Sequence, residues 1–508
     1  MMHEHGKSDR RVVQTKPPNK GVGEPPQGMT PATPAEAVEG RRLAKSNPHQ
    51  RTMFRAQRRV RMSPDLERIR QAASRDRKMQ FTALFHHVYR LETLERAYFS
   101  LNPKAAPGVD GVTWQQYGEE LETNLQDLAD RLARGAYRAQ PTRRTYIPKA
   151  DGRQRPLGVT ALEDKIVQAA LVEVLNAIYE VDFLGFSYGS RPGRGPHDAL
   201  DALSVGIVRS KVNWVLNVDI RGYFDAMLHE WLVTFIEHRI ADRRIIVRLI
   251  RKWLRAGVLE DGKHIQSEMG SPQGASFSPL AANIYLHYVF DLWAHQWRQR
   301  YGRGDVRLIR YVDDIVVSFE KREEAEQFQE ALRQRFAKFG LELNPEKTRL
   351  IEFGRFAQER RRKRGQGKPE SFNFLGFTHI SGQSRKGKYQ VQRRTMAQRF
   401  RAKLTEIKTE LRKRMHLPVP VQGAWLRSVL QGHYQYFGVP LNVKALQQFR
   451  KEVAWMWQRS LSQRSHKGYV GWKRMKHYMA KWLPVARIYH LYPDERFGVM
   501  TRGRSPVR

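Results

Sequence analysis

Apolar residues recur at helical spacing through much of the chain. Residues 64–99 show the pattern of two helices, and leucines at 121, 125, 128 and 132 predict a further helix. The apolar stripe at 166–178 predicts a buried helix, and residues 323–339 predict another. After residue 395 the pattern becomes helical and very basic, with one apolar stripe formed by Met396, Phe400, Leu404, Ile407 and Leu411.

Strand patterns lie between these helices. Residues 214–220, 308–312 and 315–319 are rich in β-branched and aromatic residues, and the last two runs predict a hairpin with Asp313-Asp314 at its turn. Residues 146–158 bracket Ala150-Asp151-Gly152, which predicts a second hairpin, and residues 372–377 predict a further strand. Strands separated by helices in the middle third favour an α+β core.

The charge of the chain narrows the class of its partner. Its 508 residues include 90 Lys and Arg against 51 Asp and Glu, a net charge of +39. Such a surplus repels itself unless a polyanion neutralises it, and a nucleic acid supplies phosphates at high density. The charge is spread along the chain, which favours a long binding groove over a single arm. A plain solvated basic surface is the alternative.

Membrane and disulfide chemistry are not expected. The sequence contains neither a lipidation motif nor an apolar run long enough to cross a bilayer. It contains no cysteine, which excludes disulfides and cysteine-ligated zinc. The default expectation is a cytoplasmic, nucleoid-associated protein without a membrane partner.

Three aspartates lie at predicted strand ends. Asp219 closes the strand at 214–220, and Asp313 and Asp314 cap the predicted hairpin. If these strands are neighbours, the three carboxylates meet at one end of a sheet. Such a cluster repels itself, so a cation is its natural partner. Mg²⁺ takes oxygen ligands, and two such ions support in-line phosphoryl transfer. An Asp-Asp pair alone more often makes a turn, so the surrounding motifs decide its meaning.

Eight motifs follow one another along the chain. They are PGVDG (107–111), YIPK (146–149) with RPLG (155–158), SRPG (190–193), DIRGYFD (219–225), SPQG (271–274) with SPL (278–280), YVDD (311–314), NPEKT (344–348) and FLGF (374–377). In this order they resemble the reverse transcriptases encoded by bacterial group II introns, of the type without an endonuclease. The resemblance covers residues 65–497.

The resemblance implies an α+β right-hand polymerase followed by helical and basic segments. Residues 63–390 would form the reverse transcriptase fingers and palm, and residues 391–465 an α-helical thumb or maturase domain. Residues 466–508 would form a basic, DNA-binding-like segment. Residues 1–62, rich in Pro, Gly and Arg, predict a flexible basic leader, either a spacer or an RNA-gripping arm.

The resemblance also implies a metal site. Asp219 and Asp313 would bridge two Mg²⁺ ions, with Mn²⁺ as a possible substitute, and Asp314 would complete the site. The backbone carbonyl of Ile220 would add an oxygen ligand. Carboxylate and carbonyl oxygens suit a hard cation of this kind.

Five further positions would bind the deoxynucleoside triphosphate. Lys149 and Arg155 would grip the phosphates, where developing charge favours cations. Phe224 would clash with a 2′-hydroxyl and so select deoxynucleotides. Gln273 would touch the nucleotide near its 3′ side. Lys347 would approach the phosphates and protonate the leaving pyrophosphate.

The sequence departs from the family pattern at three places, which concern template handling and not chemistry. Val312 stands where the family usually has Ala, and Ser190 where it usually has Phe. Ala275-Ser276-Phe277 is an unusual loop after Gln273. Two basic stretches also predict nucleic-acid contacts: residues 360–364 as an exposed loop, and residues 450–464, where Arg, Lys and Trp interleave.

The implied function is RNA-directed DNA synthesis with an intron RNA template, a DNA primer or target and deoxynucleoside triphosphates. The family's maturase activity would assist splicing and retrohoming. No His and Cys nuclease motif follows before Arg508, so second-strand cleavage is not expected and a host-supplied DNA end would prime synthesis. Two alternatives stay open: a domesticated relative in repair or phage defence, and a splicing-only RNA-binding maturase. A thumb that grips only template and primer also stays open.

Overall fold

The computed structural model describes residues 63–148, 154–266, 269–270, 274–464 and 468–500. Helices and strands alternate through this part of the chain, as the α+β prediction requires. The predicted leader at 1–62 lies outside the described residues, as do Lys149, Gln273 and residues 501–508. None of the helices within the described ranges is long and apolar enough to span a bilayer.

A first group of helices precedes the central sheet. They are α1 Pro64–Arg75, α2 Phe85–Val88, α3 Leu91–Ser100, α4 Trp114–Glu119, α5 Leu121–Arg134, α6 Leu162–Asp182 and α7 Pro196–Arg209. The helix predicted at 121–132 is therefore present, whereas the predicted pair at 64–99 is three helices. Most residues of α6 are buried, including all of its predicted apolar stripe, so the prediction of a buried helix is confirmed.

The middle and carboxy-terminal helices follow. They are α8 Tyr223–Ala226, α9 His229–Glu237, α10 Arg251–Arg255, α11 Ser278–Leu286, α12 Leu292–Tyr301, α13 Arg322–Ala337, α14 Ala357–Lys363, α15 Ala397–Lys413, α16 Val419–Phe437, α17 Val443–Ser462, α18 Trp472–Trp482 and α19 Pro493–Met500. Two π-helical turns interrupt this series, at Arg244–Ile250 and at His287–Asp291, and the second joins α11 to α12.

Within the described ranges the strands form three sheets. They are β1 Thr142–Pro148, β2 Gln154–Val159, β3 Trp214–Val218, β4 Val258–Glu260, β5 Lys263–Ile265, β6 Val306–Tyr311, β7 Asp314–Phe319, β8 Arg349–Glu352, β9 Phe372–Phe374, β10 Phe377–Gln383 and β11 Tyr389–Thr395. Their orders are β2-β1-β4-β5, β6-β7-β3-β8 and β11-β10-β9. We call the second of these the central sheet.

Every pairing in the central sheet is antiparallel. Its inner strand β3 lies between β7 and β8, so both edges of β3 are hydrogen-bonded. Apolar residues of β3, β6 and β7 belong to the core that also contains α6 and α11. The central sheet is therefore rigid where its strands end, which is where the predicted aspartates lie.

Two predicted segments differ from the structure. Residues 372–377 are not one strand, because Leu375 and Gly376 have φ of 47° and 80° and form a turn between β9 and β10. Residues 360–364 are not a loop, since most of them belong to α14. Arg360 donates to Asn213 Oδ1 and Arg364 forms an ion pair with Glu352, so part of that basic run holds the protein together.

The helices after residue 396 have their own core. Trp457 is fully buried in it and donates to Gln422 Oε1 at 2.9 Å. Beyond α18 the chain returns to the central part of the protein, where Arg496 pairs with Asp198 and Asp201 on α7. This return contact ties the carboxy-terminal helix to the layer beside the central sheet.

Candidate active site

Asp219 and Asp314 face one another at the same end of the central sheet. β3 and β7 run antiparallel with Val218 opposite Ile315 as the last pair. Asp219 directly follows Val218 and Asp314 directly precedes Ile315, so the two aspartates occupy the next facing positions. Facing residues of an antiparallel pair have Cα atoms about 4.5–5.5 Å apart. Both side chains are partly exposed.

Asp313 lies in the turn beside this pair. Tyr311 is opposite Asp314 in the β6–β7 hairpin, so the turn consists of Val312 and Asp313. The predicted hairpin is present, but its turn lies one residue earlier than the Asp313-Asp314 step. Val312 has φ of 57°, a left-handed conformation that is unfavourable for a β-branched residue.

The loop that precedes β8 completes this end of the sheet. Asn344 N donates to the carbonyl of Asp219 at 2.8 Å, and Thr348 Oγ1 donates to the same carbonyl at 3.3 Å. These bonds hold the loop against Asp219. They bring the Lys347 ammonium to 3.6 Å from Asp219 Oδ2. A cationic side chain thus lies directly beside the Asp219 carboxylate.

The Ile220 carbonyl is directed toward the hairpin side of β3. Ile220 is opposite Leu343, and the flanking hydrogen bonds join Arg221 N to Glu342 O and Asn344 N to Asp219 O. Successive carbonyls along an extended chain point in opposite directions, so that of Ile220 points away from residues 342–344. That is the side on which β7 lies.

The donor set suits a hard divalent cation. Three carboxylates and one backbone carbonyl are all oxygen ligands. In the described ranges no three acidic or histidine side chains are already gathered into a metal-binding group. Asp219 and Asp314 occupy facing backbone positions, and Asp313 lies in the adjoining turn.

Phe224 lies on the short helix that follows Asp219. Gly222, with φ of 54°, turns the chain into α8, and Phe224 is partly buried against the Tyr223 ring at 5.4 Å. A Cβ on Gly270 would lie 3.3 Å from Phe224 O, and one on Gly274 would lie 2.8 Å from Gly158 O. The segment that contains Gln273 therefore starts beside α8 and ends beside β2.

The β1–β2 hairpin carries the remaining predicted residues. Ile147 is opposite Arg155, which places Arg155 at the end of the hairpin near its turn. The side chain of Arg155 lies outside the described atoms, as does the whole of Lys149. The structure thus places the backbone of Arg155 at this end of the hairpin.

Residues 147–379 match the protein family described as "Reverse transcriptase (RNA-dependent DNA polymerase)". This part of the chain is therefore similar to the reverse transcriptases. Protein YkfC of Escherichia coli is 37% identical over 245 residues, which are 47% of this chain and 63% of that protein. The group II intron-encoded protein LtrA of Lactococcus lactis is 33% identical over 239 residues, 47% of this chain and 39% of that protein.

A fungal relative extends the comparison. An uncharacterized 91 kDa protein in the cob intron of Schizosaccharomyces pombe is 42% identical over 149 residues, which are 29% of this chain and 18% of that protein. The chain spans less than two thirds of the length of these relatives. Two of these three relatives are named as proteins of introns.

The residues that depart from the family pattern lie either at the β6–β7 hairpin turn or in the protein interior. Ser190, like Val312, has a positive φ, of 55°. It follows Gly189, where an added Cβ would lie 2.5 Å from Val312 N. Ala275 and Phe277 are buried, and the Phe277 ring lies 5.8 Å from that of Trp253. The unusual loop is therefore anchored in the protein interior.

Sequence reasoning missed a buried ion pair next to the aspartates. Arg310 and Asp291 have fully buried side chains and share two hydrogen bonds of 2.7 and 2.6 Å. Burial opposes ionisation of Asp291, but Arg310 and His287 together outweigh it, and the pKa of Asp291 lies below its usual value. Both residues interrupt apolar runs, LIRY and VFDL, and that interruption was the available signal.

The basic segment at 450–464 divides into structural and exposed residues. Arg450 donates to the carbonyls of Leu483 and Pro484, so it holds α17 to the segment after α18. Trp455 is 51% exposed, and the Arg459 guanidinium lies over its ring at 5.9 Å. Within this segment, the exposed residues that could bind phosphates or stack on bases lie on the outer face of α17.

Proposed function

We propose that this protein is an RNA-directed DNA polymerase of the group II intron type, which extends a DNA primer along an intron RNA template. The observation that carries the proposal is the facing position of Asp219 and Asp314, with Asp313 in the adjoining turn. A rigid sheet end with three carboxylates meets the geometric need of nucleotidyl transfer.

The three aspartates and the Ile220 carbonyl would hold two Mg²⁺ ions. Two such ions supply positive charge at both the attacking and the leaving oxygen of an in-line displacement. Mn²⁺ takes the same oxygen donors and is the expected substitute. Asp219 would be shared between the ions, because it lies between the hairpin and Lys347. The antiparallel sheet keeps the carboxylates in place while substrates exchange.

Cations on both sides of the carboxylates would bind the triphosphate. Lys347 is more than half exposed beside Asp219, and its ammonium can balance charge on the phosphates and give a proton to the leaving pyrophosphate. Lys149 and Arg155 would approach from the β1–β2 hairpin, and Gln273 from the segment between Gly270 and Gly274. An arginine can bind two phosphate oxygens at once.

Phe224 would select the sugar. It follows Asp219 closely in sequence, is partly buried, and has its ring 5.4 Å from that of Tyr223. A ring below the sugar would leave space for a hydrogen at the 2′ position and none for a hydroxyl. The protein would therefore incorporate deoxynucleotides in preference to ribonucleotides.

The arrangement of the chain fits a right hand. The central sheet with α6 and α11 would be the palm, and β1, β2 and the amino-terminal helices would be the fingers. Helices α15, α16 and α17 would be the thumb, which binds the template and primer and, as a maturase, intron RNA. Its solvent-exposed cations support this role: Arg401, Lys408, Arg412, Lys413, Arg427, Lys444, Lys451 and Arg459.

Primer extension tests the polymerase proposal. Purified protein is given an RNA template, a DNA primer, deoxynucleotides and Mg²⁺, and wild type is compared with Asp313→Asn. We expect the substitution to lower the extension rate by about 100-fold or more. Asp130→Asn on the exposed face of α5 changes the same charge far from the site and should extend as wild type does. Equal rates for wild type and Asp313→Asn would refute the metal assignment.

RNA binding tests the thumb and maturase proposal. Removing one phosphate-binding charge should reduce the slope of log affinity against log salt by about 0.7–0.9. Lys451→Gln, on the exposed face of α17, should show this reduction with structured intron RNA. The matched control Lys368→Gln removes an exposed charge outside the helical region. Identical salt slopes for both variants would contradict a binding surface on α17.

A further inference from the structure

The turn that carries Asp313 is held in an unfavourable conformation. Val312 has φ of 57°, and the left-handed region is disfavoured most strongly for β-branched residues. Such a conformation persists only where surrounding contacts determine it. The contacts around Val312 therefore bear on the position of the next residue, Asp313.

Arg310 supplies one of these contacts from the interior. Its Nη1 donates to the carbonyl of Val312 at 3.1 Å and to Asn283 Oδ1 at 2.9 Å. Its Nε and Nη2 bind both carboxylate oxygens of Asp291. The guanidinium is planar with fixed donor directions, so the bidentate bond to Asp291 also fixes where Nη1 points.

Asn283 and Asp291, which both bind Arg310, lie on one helical segment whose geometry brings them together. Asn283 and Asp291 are eight residues apart, a separation that places two side chains about 80° apart around a regular α-helix. The π-helical turn at His287–Asp291 contains more residues per turn and reduces that angle. Both side chains therefore meet the same guanidinium, which a regular helix would not allow equally well.

A second contact to the turn comes from Gly189, which is itself hydrogen-bonded to Asn283. Asn283 Nδ2 donates to the carbonyl of Gly189 at 2.8 Å. Gly189 lies so close to the turn that an added Cβ would be 2.5 Å from both Val312 N and Val312 Cγ2. Arg310 and Gly189 thus both lie against Val312, and Asn283 is hydrogen-bonded to each of them.

We propose that Arg310 is a positioning residue, which through its bond to the Val312 carbonyl orients the Val312–Asp313 peptide and aims the Asp313 carboxylate at Asp219. Asp291 and Asn283 hold Arg310 in the required orientation. This inference rests on the proposed metal role of Asp313. Neither Arg310 nor its partners would touch substrate, so their effect passes through the turn.

Arg310→Lys tests the inference, because a lysine keeps the positive charge near Asp291 but cannot bind the carboxylate and the Val312 carbonyl together. The matched control is Arg239→Lys. Arg239 forms a similarly buried pair with Asp182, at 2.8 Å, and also donates to backbone carbonyls, but it lies away from the turn. Both variants weaken a buried ion pair, so general destabilisation affects them alike.

There are two readouts. The first is Mn²⁺ binding without substrate, measured by electron paramagnetic resonance, and the second is hydrogen exchange of the hairpin turn. We expect Arg310→Lys to weaken Mn²⁺ binding roughly tenfold or more and to reduce the extension rate by a similar factor. Turn exchange should accelerate at the same time. Arg239→Lys should leave Mn²⁺ affinity and turn exchange as in wild type.

A third variant covers the case in which Arg310→Lys does not fold. Asn283→Ala keeps the Arg310–Asp291 pair but removes its lateral bond, and it should also weaken Mn²⁺ binding. Equal Mn²⁺ affinity in Arg239→Lys and in the folded variants of Arg310 and Asn283 would overturn this inference alone. Wild-type protein that neither binds Mn²⁺ through Asp313 nor extends a primer would instead overturn the proposed function.

Discussion

The ammonium nitrogen of Lys347 lies 3.6 Å from Asp219 Oδ2, across the end of the central sheet. If this cation balances charge on the triphosphate, Lys347→Gln should raise the KM for deoxynucleotides about tenfold, equivalent to about 1.4 kcal/mol. Steady-state primer extension measures it. Lys338→Gln, an exposed position after α13, is the control, and an unchanged KM in Lys347→Gln would rule out a phosphate contact.

Gly189 leaves no room for a side chain beneath the hairpin turn. A Cβ there would be 2.5 Å from the backbone nitrogen of Val312, which cannot yield as a flexible side chain could. Gly189→Ala should therefore displace the turn, destabilise the protein by about 1–3 kcal/mol and reduce primer extension. Urea unfolding and extension assays measure both effects.

Gly367→Ala is the matched control for that substitution, because no atom lies within 4 Å of the added Cβ. It should leave both stability and extension close to wild type. Wild-type extension by Gly189→Ala would show that the position of the turn tolerates displacement.

Phe224 is expected to govern sugar discrimination. Phe224→Ala removes the ring that would clash with a 2′-hydroxyl, so ribonucleotide incorporation should rise relative to deoxynucleotide incorporation. The measurement is the ratio of kcat/KM for a matched ribonucleotide and deoxynucleotide pair. Phe356→Ala removes a 45% exposed ring outside the site and should keep the wild-type ratio. An unchanged ratio in Phe224→Ala would reject the sugar-selecting role.

His379 makes stability depend on pH in the β9–β11 sheet. It is fully buried and stacked on Phe372 at 4.8 Å, and burial, together with Arg393, lowers its pKa to about 3. The unfolded chain binds a proton near pH 6.5 and the native chain does not. Its stabilising contribution is therefore complete above pH 6.5 and is lost as the pH falls toward 3.

At pH 5 this loss should amount to about 2 kcal/mol. Urea unfolding at pH 7 and pH 5 tests it: His379→Gln should show a smaller difference between the two pH values than wild type. His477→Gln changes an exposed histidine of α18 and should retain the wild-type difference. A full wild-type difference in His379→Gln would assign the pH dependence to other groups.

The sequence is sufficient to predict those strands and helices that show a clear periodicity of apolar residues, and the aspartates at the ends of such strands. The strand before Asp219 and the hairpin at Asp313 follow from alternation and β-branched residues, and the structure contains both. Short strands with few apolar residues, such as β4 and β5, escape prediction, because the pairing of β4 with β1, which adds both strands to the sheet, comes from tertiary contacts.

Local backbone geometry and the partners of charged residues are harder to predict from the sequence. The turn at Leu375-Gly376 is predicted as part of a strand, because nothing in the sequence signals a positive φ at a leucine. Arg360 and Arg364 have the pattern of RNA-binding residues, although their partners Asn213 and Glu352 lie within the protein. A charged residue reveals its partner only after the fold is known.

β3 lies between two strands that are both translated long after it. A ribosome that has just released β3 has not yet synthesised β7 or β8, so both hydrogen-bonding edges of β3 wait for partners. Unsatisfied edges invite pairing with other chains. The end of the sheet that carries Asp219 can therefore assemble only after Lys347 has emerged, and chaperone demand during synthesis should be greatest over that interval.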